Sequence, residues 1–175
     1  GYPLSSRTLT IDLNGQTLTG YLQLGGADLT IKGSTPGSAM HGKIRCTSPS
    51  GSLTIKGGYY ENTMDSDSFL TVDFVGTLSI TDGEFVGGSG SKYALDISSN
   101  QMENYQHLRR NITGGKFHGI YALDNEVSLI RPGGYRLEKE DGTPIKLDDL
   151  KSTEETLVVA LCTTHSWGQG DATTK

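Results

Sequence analysis

Three aspartates, Asp73, Asp96 and Asp124, each stand fourth in a short strand-like phrase: Leu70-Thr71-Val72-Asp73, Tyr93-Ala94-Leu95-Asp96 and Tyr121-Ala122-Leu123-Asp124. Two further phrases, Leu22-Gln23-Leu24-Gly25 and Ile44-Arg45-Cys46-Thr47, align with them without gaps. Strand parity sends the first and third residue of each inward and the second and fourth outward. The alignment therefore stacks the three carboxylates on successive rungs. Carboxylates ~5 Å apart repel by roughly 1 kcal/mol in water and ~3 kcal/mol at an effective dielectric of 20. Solvation tolerates such a column and a bridging cation relieves it; calcium, which takes carboxylate oxygens, is the expected ion. Outward Thr71, Ala94 and Ala122 leave a shallow floor beside the acids. The segment from Ser98 to Arg109 leaves just after Asp96, so its Glu103, Tyr105, His107 and Arg109 would overhang that floor. These seven residues are the candidate ligand site, and the three aspartates its metal set.

The chemistry stops short of catalysis. Carboxyl groups ~6.5–9.5 Å apart serve an inverting glycosidase, and Asp73 and Asp124, two rungs apart, meet that distance. No outward Arg or Lys stands out beside the acids on the regular strands, so no catalytic residue is assigned. Aspartates also suit strand ends, where the side chain caps a turn, and Asp124-Asn125 fits that use. The four histidines (His41, His107, His118, His165) lie on different segments without ligand spacing. Cys46 falls on an inward position and behaves as a small hydrophobe. Cys162 lies past the last strand, so the two cysteines are expected unpaired. Cys162-Thr163-Thr164-His165 lacks the second ligand pair of a zinc site.

A repeat positions these residues. Leu-Thr-Ile occurs at Leu9-Thr10-Ile11, Leu29-Thr30-Ile31 and Leu53-Thr54-Ile55. Looser copies follow at Leu78-Ser79-Ile80, Asn111-Ile112-Thr113 and Val127-Ser128-Leu129. The period of roughly 20 to 30 residues is that of a solenoid of stacked units. Four copies run into a glycine corner and an aromatic: Gly57-Gly58-Tyr59-Tyr60, Asp82-Gly83-Glu84-Phe85, Gly114-Gly115-Lys116-Phe117 and Gly133-Gly134-Tyr135. One strand, a glycine turn and one inward ring per unit predict coiled parallel strands, spaced ~4.8 Å from rung to rung. The buried columns are then Leu22, Ile44, Leu70, Tyr93, Tyr121 and Leu24, Cys46, Val72, Leu95, Leu123. An antiparallel sandwich shares the short alternating strands, but it does not require like residues at matching positions.

The coil is expected over residues 1–135, with a C-terminal β-hairpin cap over 136–161 and a polar linker over 162–175. Arg136 to Glu140, Asp141-Gly142, then Pro144 to Leu147 read as a hairpin. Leu157-Val158-Val159-Ala160-Leu161 reads as a strand covered on both sides. Such a segment would cover an open solenoid end. At Arg110, where other copies carry an inward Leu, a bulge is expected to turn the guanidinium out, because burial without a partner is costly. The 175-residue chain carries 15 Lys and Arg against 20 Asp and Glu, a net charge of −5. That balance argues against nucleic acid, which needs a basic patch. No apolar run approaches ~20 residues, so no membrane insertion is expected. The abrupt opening at Gly1-Tyr2-Pro3 reads as an excised piece of a longer protein, whose neighbouring modules would be its partners.

The opening Thr10-Ile11-Asp12-Leu13-Asn14-Gly15-Gln16-Thr17-Leu18, the Gly-Gly-aromatic punctuation and the Gly134-Tyr135 to Gly142 phrase resemble right-handed parallel β-helix proteins. The likeness is to pectate-lyase-like modules of Gram-positive bacterial surface proteins and covers residues 8–161. It implies an all-β, right-handed parallel β-helix of about six rungs with the hairpin cap. Lyases of that superfold use clustered acids with calcium and a basic residue. The expected function is a non-catalytic, extracellular, cell-surface spacer or adhesive module with no required cofactor. Its outer face would suit a glycan or a host or cell-wall surface. A carbohydrate-active enzyme fragment, lyase or glycoside hydrolase, is the alternative.

Overall fold

The computed structural model describes residues 3–4, 7–74, 76–91, 93–97, 109–122, 134–145 and 152–162. Asp124, Glu103, Tyr105, His107 and the strand copy at 127–129 lie outside the described residues.

Among the described residues thirteen strands form one continuous sheet wound into a parallel β-solenoid. The Leu-Thr-Ile copies make one face: β2 (Thr8–Asp12), β4 (Asp28–Lys32), and the first halves of β6 (Ser52–Glu61) and β8 (Thr77–Val86), then β10 (Arg109–Ile112). Leu9, Leu29, Leu53, Leu78 and Arg110 pair in one unbroken register, as do Ile11, Ile31, Ile55, Ile80 and Ile112. The other long face stacks β1 (Pro3–Leu4), β3 (Thr17–Leu24), β5 (Ala39–Thr47), β7 (Leu70–Phe74), β9 (Leu95–Ile97) and β11 (Lys116–Ala122). A short third side joins residues 17–19, 39–41, 59–61, 84–86 and 116–118. Among the described residues the stack makes about four turns, against the six expected.

The rings that follow the first three glycine corners point inward, whereas Tyr135, on antiparallel β12, is half-exposed. Tyr60, Phe85 and Phe117 are fully buried and stack with centroids 4.9 and 4.8 Å apart. Each lies beneath the glycine two residues earlier. At Gly83, with φ +128°, an added Cβ would sit 3.2 Å from both the Phe85 and Tyr60 rings. An L side chain there meets both backbone strain and a ring that stacking holds in place. At the opposite corner Gly42 approaches more closely still: a Cβ would fall 1.8 Å from the Gly20 carbonyl oxygen. The coil can turn that tightly only without a side chain.

On the long face the inward columns differ from the gapless alignment. Leu22, Ile44, Leu70, Leu95 and Ile120 pair in sequence, and Leu24, Cys46 and Val72 form the next column. Tyr93 and Tyr121 are half-exposed and pack on each other, centroids 5.3 Å apart, instead of filling the core. The cause is a bend at Ala94, which buries Ala94 and Leu95 in succession and breaks the period-two parity. The bend suits the chemistry, since a tyrosine on the surface keeps its hydroxyl in water. Both cysteines are free. Cys46 is fully buried, and burial pushes its thiol up to about 12.

The C-terminal end is closed by strands that run the other way. β13 (Ser152–Leu161) pairs antiparallel with β11, and β12 (Tyr135–Lys139) pairs antiparallel with β13. Around Asp141-Gly142 the chain turns back, with Glu138 opposite Pro144, so the expected hairpin is present. Leu137, Leu157 and Val159 join the core, whereas Val158 is half-exposed and Leu161 is exposed. β13 therefore has one covered face, not two, because it lies at the end of the stack. The bulge expected at Arg110 is absent: Arg109 to Ile112 pair with Thr77 to Ile80 without a shift.

These placements separate core from ladder. Leu70 and Leu95 are fully buried and Thr54 is not. Changing either leucine to Ala should lower unfolding free energy by ~2–5 kcal/mol, and Thr54→Ala by well under ~1. Chemical denaturation measures the difference; similar losses at all three would contradict the inward assignment.

Candidate functional site

The outer surface of the long face carries a cleft of about 260 Å³ lined by Lys43, Arg45, Asp67, Ser68, Thr71, Asp73 and Asp96. Its floor follows from the ladder. Gln23, Arg45, Thr71, Asp96 and Tyr121 are successive outward residues of β3, β5, β7, β9 and β11. Lys43 stands two residues before Arg45, outward again and opposite Tyr21.

The expected column of Asp73 over Asp96 does not form. Asp96 pairs opposite Thr71, because the bend at Ala94 brings Leu95 level with Leu70. Asp73 leaves the ladder for a second reason. Cys46 pairs with Val72 and Thr47 with Phe74, which makes Asp73 the extra residue of a β-bulge. A bulge re-aims a side chain, and here it turns Asp73 to Arg45, whose Nε donates to Oδ2 at 2.7 Å. The two aspartates share the cleft without sharing a column. Arg109 begins β10, on the Leu-Thr-Ile face, and pairs opposite Thr77.

A loop absent from the sequence-level site forms the cleft wall. Between β6 and β7, Asn62 is buried and anchors the turn through its amide. Its Nδ2 donates to Asp65 Oδ1 at 2.7 Å and to the Asp67 carbonyl at 3.0 Å; its Oδ1 accepts from the Met64 amide at 2.9 Å. This fixes both carboxylates over β5. Lys43 Nζ donates to Asp65 and, at 3.0 Å, to Asp67, while lying 5.5 Å from the Tyr21 ring centroid. The lysine and asparagine hydrogen bonds pull the Asp65 carboxyl down to about 2. Lys43 is raised in turn, chiefly by Asp65, and Arg45 chiefly by Asp73.

Of the expected calcium set, Asp124 lies outside the described residues, and Asp73 and Asp96 line the cleft from different columns. The Lys43 ammonium stands between Asp65 and Asp67, and Arg45 pairs with Asp73. Among the described residues no group of three or more His, Cys, Asp or Glu is arranged to hold a metal. The surface carries alternating donors and acceptors.

A second polar cluster joins the coil to the closing strands. His118 Nε2 lies 2.7 Å from Glu84 Oε1 and its Nδ1 lies 3.1 Å from Thr156 Oγ1. Lys116 reaches Glu140 at 2.6 Å and Glu84 at 3.4 Å. The His118 contact, before that of Lys116, lowers the Glu84 carboxyl. This cluster ties β13 and the β12 turn to β8 and β11, across an antiparallel joint where the repeat supplies no matching residues.

Comparison with protein-family models, curated proteins and solved structures finds no match for this chain. Arg45 was present in the aligned phrase as an outward residue, and Asn62-x-x-Asp65-x-Asp67 reads as a side-chain-capped turn. What the alignment could not supply was the turn's position over β5.

The lowered Asp65 carboxyl carries a sign. Its folded value lies below the unfolded ~3.9, so its stabilisation is present above that value and is lost as pH falls toward 2. Solvent screening at this exposed pair keeps the effect to about 1 kcal/mol or less. Asp65→Asn should flatten the acid limb of stability between about pH 4 and 2. Denaturant titration against pH, with NMR titration of the carboxyl, checks it; an unchanged limb, or an Asp65 titrating near the unfolded value, would refute the assignment.

Proposed function

We propose that this chain is a non-catalytic β-solenoid module that acts as a rigid spacer and adhesive element of an extracellular, cell-surface protein, binding glycan in the Lys43–Arg45 cleft. The observation that carries the reading is the cleft itself: a shallow, polar, mixed-charge surface on the outer side of a continuous ladder. Carbohydrate hydroxyls donate and accept at once, and Arg45 with Asp73 and Lys43 with Asp67 present both functions within 2.7–3.0 Å. Half-exposed Tyr21, Tyr93 and Tyr121 on the same face add aromatic surface. The continuous parallel pairing resists bending, which suits a spacer between neighbouring modules. The Thr10 to Leu18 phrase and the glycine-aromatic corners support placing it with pectate-lyase-like modules of Gram-positive surface proteins, and a host or cell-wall glycan is then the partner. A net charge of −5 supports no nucleic-acid role.

The carbohydrate-active enzyme reading draws on the same cleft, since Asp73 and Asp96 stand beside Lys43 and Arg45. A basic side chain that removes a proton must first lose its own. Both cations here are held more firmly protonated by their carboxylate partners. That favours binding over elimination chemistry.

The test is retention of the chain on plant, host and bacterial cell-wall polysaccharides, followed by calorimetry on the best ligand. Lys43→Ala with Arg45→Ala should weaken binding about tenfold or more, ~1.4 kcal/mol, with melting temperature nearly unchanged. Equal retention by the double variant, or no retained glycan, would end the cleft's role. Release of new reducing ends or unsaturated products would establish the enzyme reading instead.

A further inference from the structure

The two ends of the solenoid are not equivalent. β13 covers the last coil by running antiparallel to β11, whereas β2 pairs only with β4 among the described strands. Exposure records the difference. Leu9 is 39% exposed, while its stacked equivalents Leu29, Leu53 and Leu78 are at 1, 0 and 0%. Ile11, Leu18 and Leu22 are half-exposed, while Ile31, Met40 and Ile44 below them are buried. The backbone is open as well. The Arg7 carbonyl accepts from Asp28 and the Leu13 amide donates to Lys32. Peptide groups alternate sides along a strand, so those of Thr8, Thr10 and Asp12 point away from β4, toward the open edge.

Part of that edge is already occupied, and the occupant shows what fits. β1 lies parallel on β3, with Pro3 opposite Gln23 and Leu4 opposite Leu24. Gln23 and Leu24 in turn pair with Arg45 and Cys46. Pro3–Leu4 therefore repeats the position of Arg45–Cys46 on the other side of β3. The link onward also repeats: Thr8 follows Leu4 by the same interval at which Asp28 follows Leu24, and Thr8 pairs with Asp28. β1 thus occupies the position that the final strand of a coil holds elsewhere in the stack.

We infer that the N-terminal edge, formed by β2 and residues 17–22 of β3, is a docking surface for one further parallel coil. Its occupant is polypeptide with the apolar-x-apolar strand pattern, entering β1 in the register of Asp28–Cys46. The inference rests on the reading of the chain as a module of a longer protein and names the surface at which its neighbour joins. A flat edge carrying partly exposed leucine and isoleucine is otherwise an aggregation hazard, and parallel strand addition would satisfy its backbone and apolar groups together.

The experiment places a second copy of Asp28–Ile44 directly before Pro3 in the full chain, which puts the copied strand opposite β2 in register. The extended chain should melt several degrees higher, and the Thr10 amide should become strongly protected from hydrogen exchange. Thr10→Pro removes only an edge-facing donor, so it should shift the parent's melting temperature little and abolish the extended chain's gain. Leu9→Lys should also abolish that gain, by placing charge where the coil would stack. Unprotected amides in the copy, with an unchanged melting temperature, would overturn the inference. A parent chain that sediments as a dimer, and reverts to monomer on Thr10→Pro, would also overturn it by making a second copy the occupant. Glycan retention on the same samples separates the two claims: retention without docking removes only this one.

Discussion

The in-register parallel ladder is the constraint on which the rest of this structure depends. Once Leu9, Leu29, Leu53 and Leu78 share backbone hydrogen bonds, every neighbouring position is stacked on its counterpart. A position that must be small in one coil must then be small in the next, and a ring admitted once is admitted repeatedly. The Tyr60, Phe85 and Phe117 stack and the glycines above it are two halves of that condition. Rings fill the volume under each corner, and only glycine leaves room for them. Dispersion between stacked rings adds to the burial of each, so aromatic and glycine reinforce each other along the coil axis.

The cleft forms where the ladder is interrupted. A perfect solenoid presents regular columns, and like charges in a column repel. This chain avoids a simple acidic column by two irregularities. The bend at Ala94 puts Asp96 level with Thr71, and the bulge at Asp73 sends that carboxylate to Arg45. The loop fixed by Asn62 brings Asp65 and Asp67 against Lys43 from a different part of the coil. The cleft is thus lined by opposite charges from different coils, which lets donors and acceptors sit close together at low electrostatic cost.

The ends follow from the same rule applied at its limits. A repeat that stacks indefinitely must be stopped, and β13 stops it by reversing direction, joined by the His118–Glu84–Thr156 and Lys116–Glu140 contacts. Leu157 enters the core like a residue of one more coil, while the strand around it runs against the stack. Among the described residues the N-terminal edge has no such reversal. β1 there continues the stack in the parallel sense, and Leu9 on the edge strand is exposed where its stacked equivalents Leu29, Leu53 and Leu78 are buried.

Much of this was legible without coordinates. The Leu-Thr-Ile repeat, the glycine corners, the inward rings, buried Cys46 and the Asp141-Gly142 turn could be read from spacing, because stacking forces like residues to recur at like positions. Register on the long face could not. Tyr93-Ala94-Leu95-Asp96 aligns with Leu70-Thr71-Val72-Asp73 at its large apolar and acidic positions, yet a single bend moves it by two residues and turns Tyr93 out of the core. A gapless alignment contains no term for a bend or a bulge. The sequence by itself determined the coil, because periodic burial is a property of the chain's own pattern. Tertiary structure decided the cleft, because which charge meets which depends on the register between coils and on a loop that closes over a strand some twenty residues earlier.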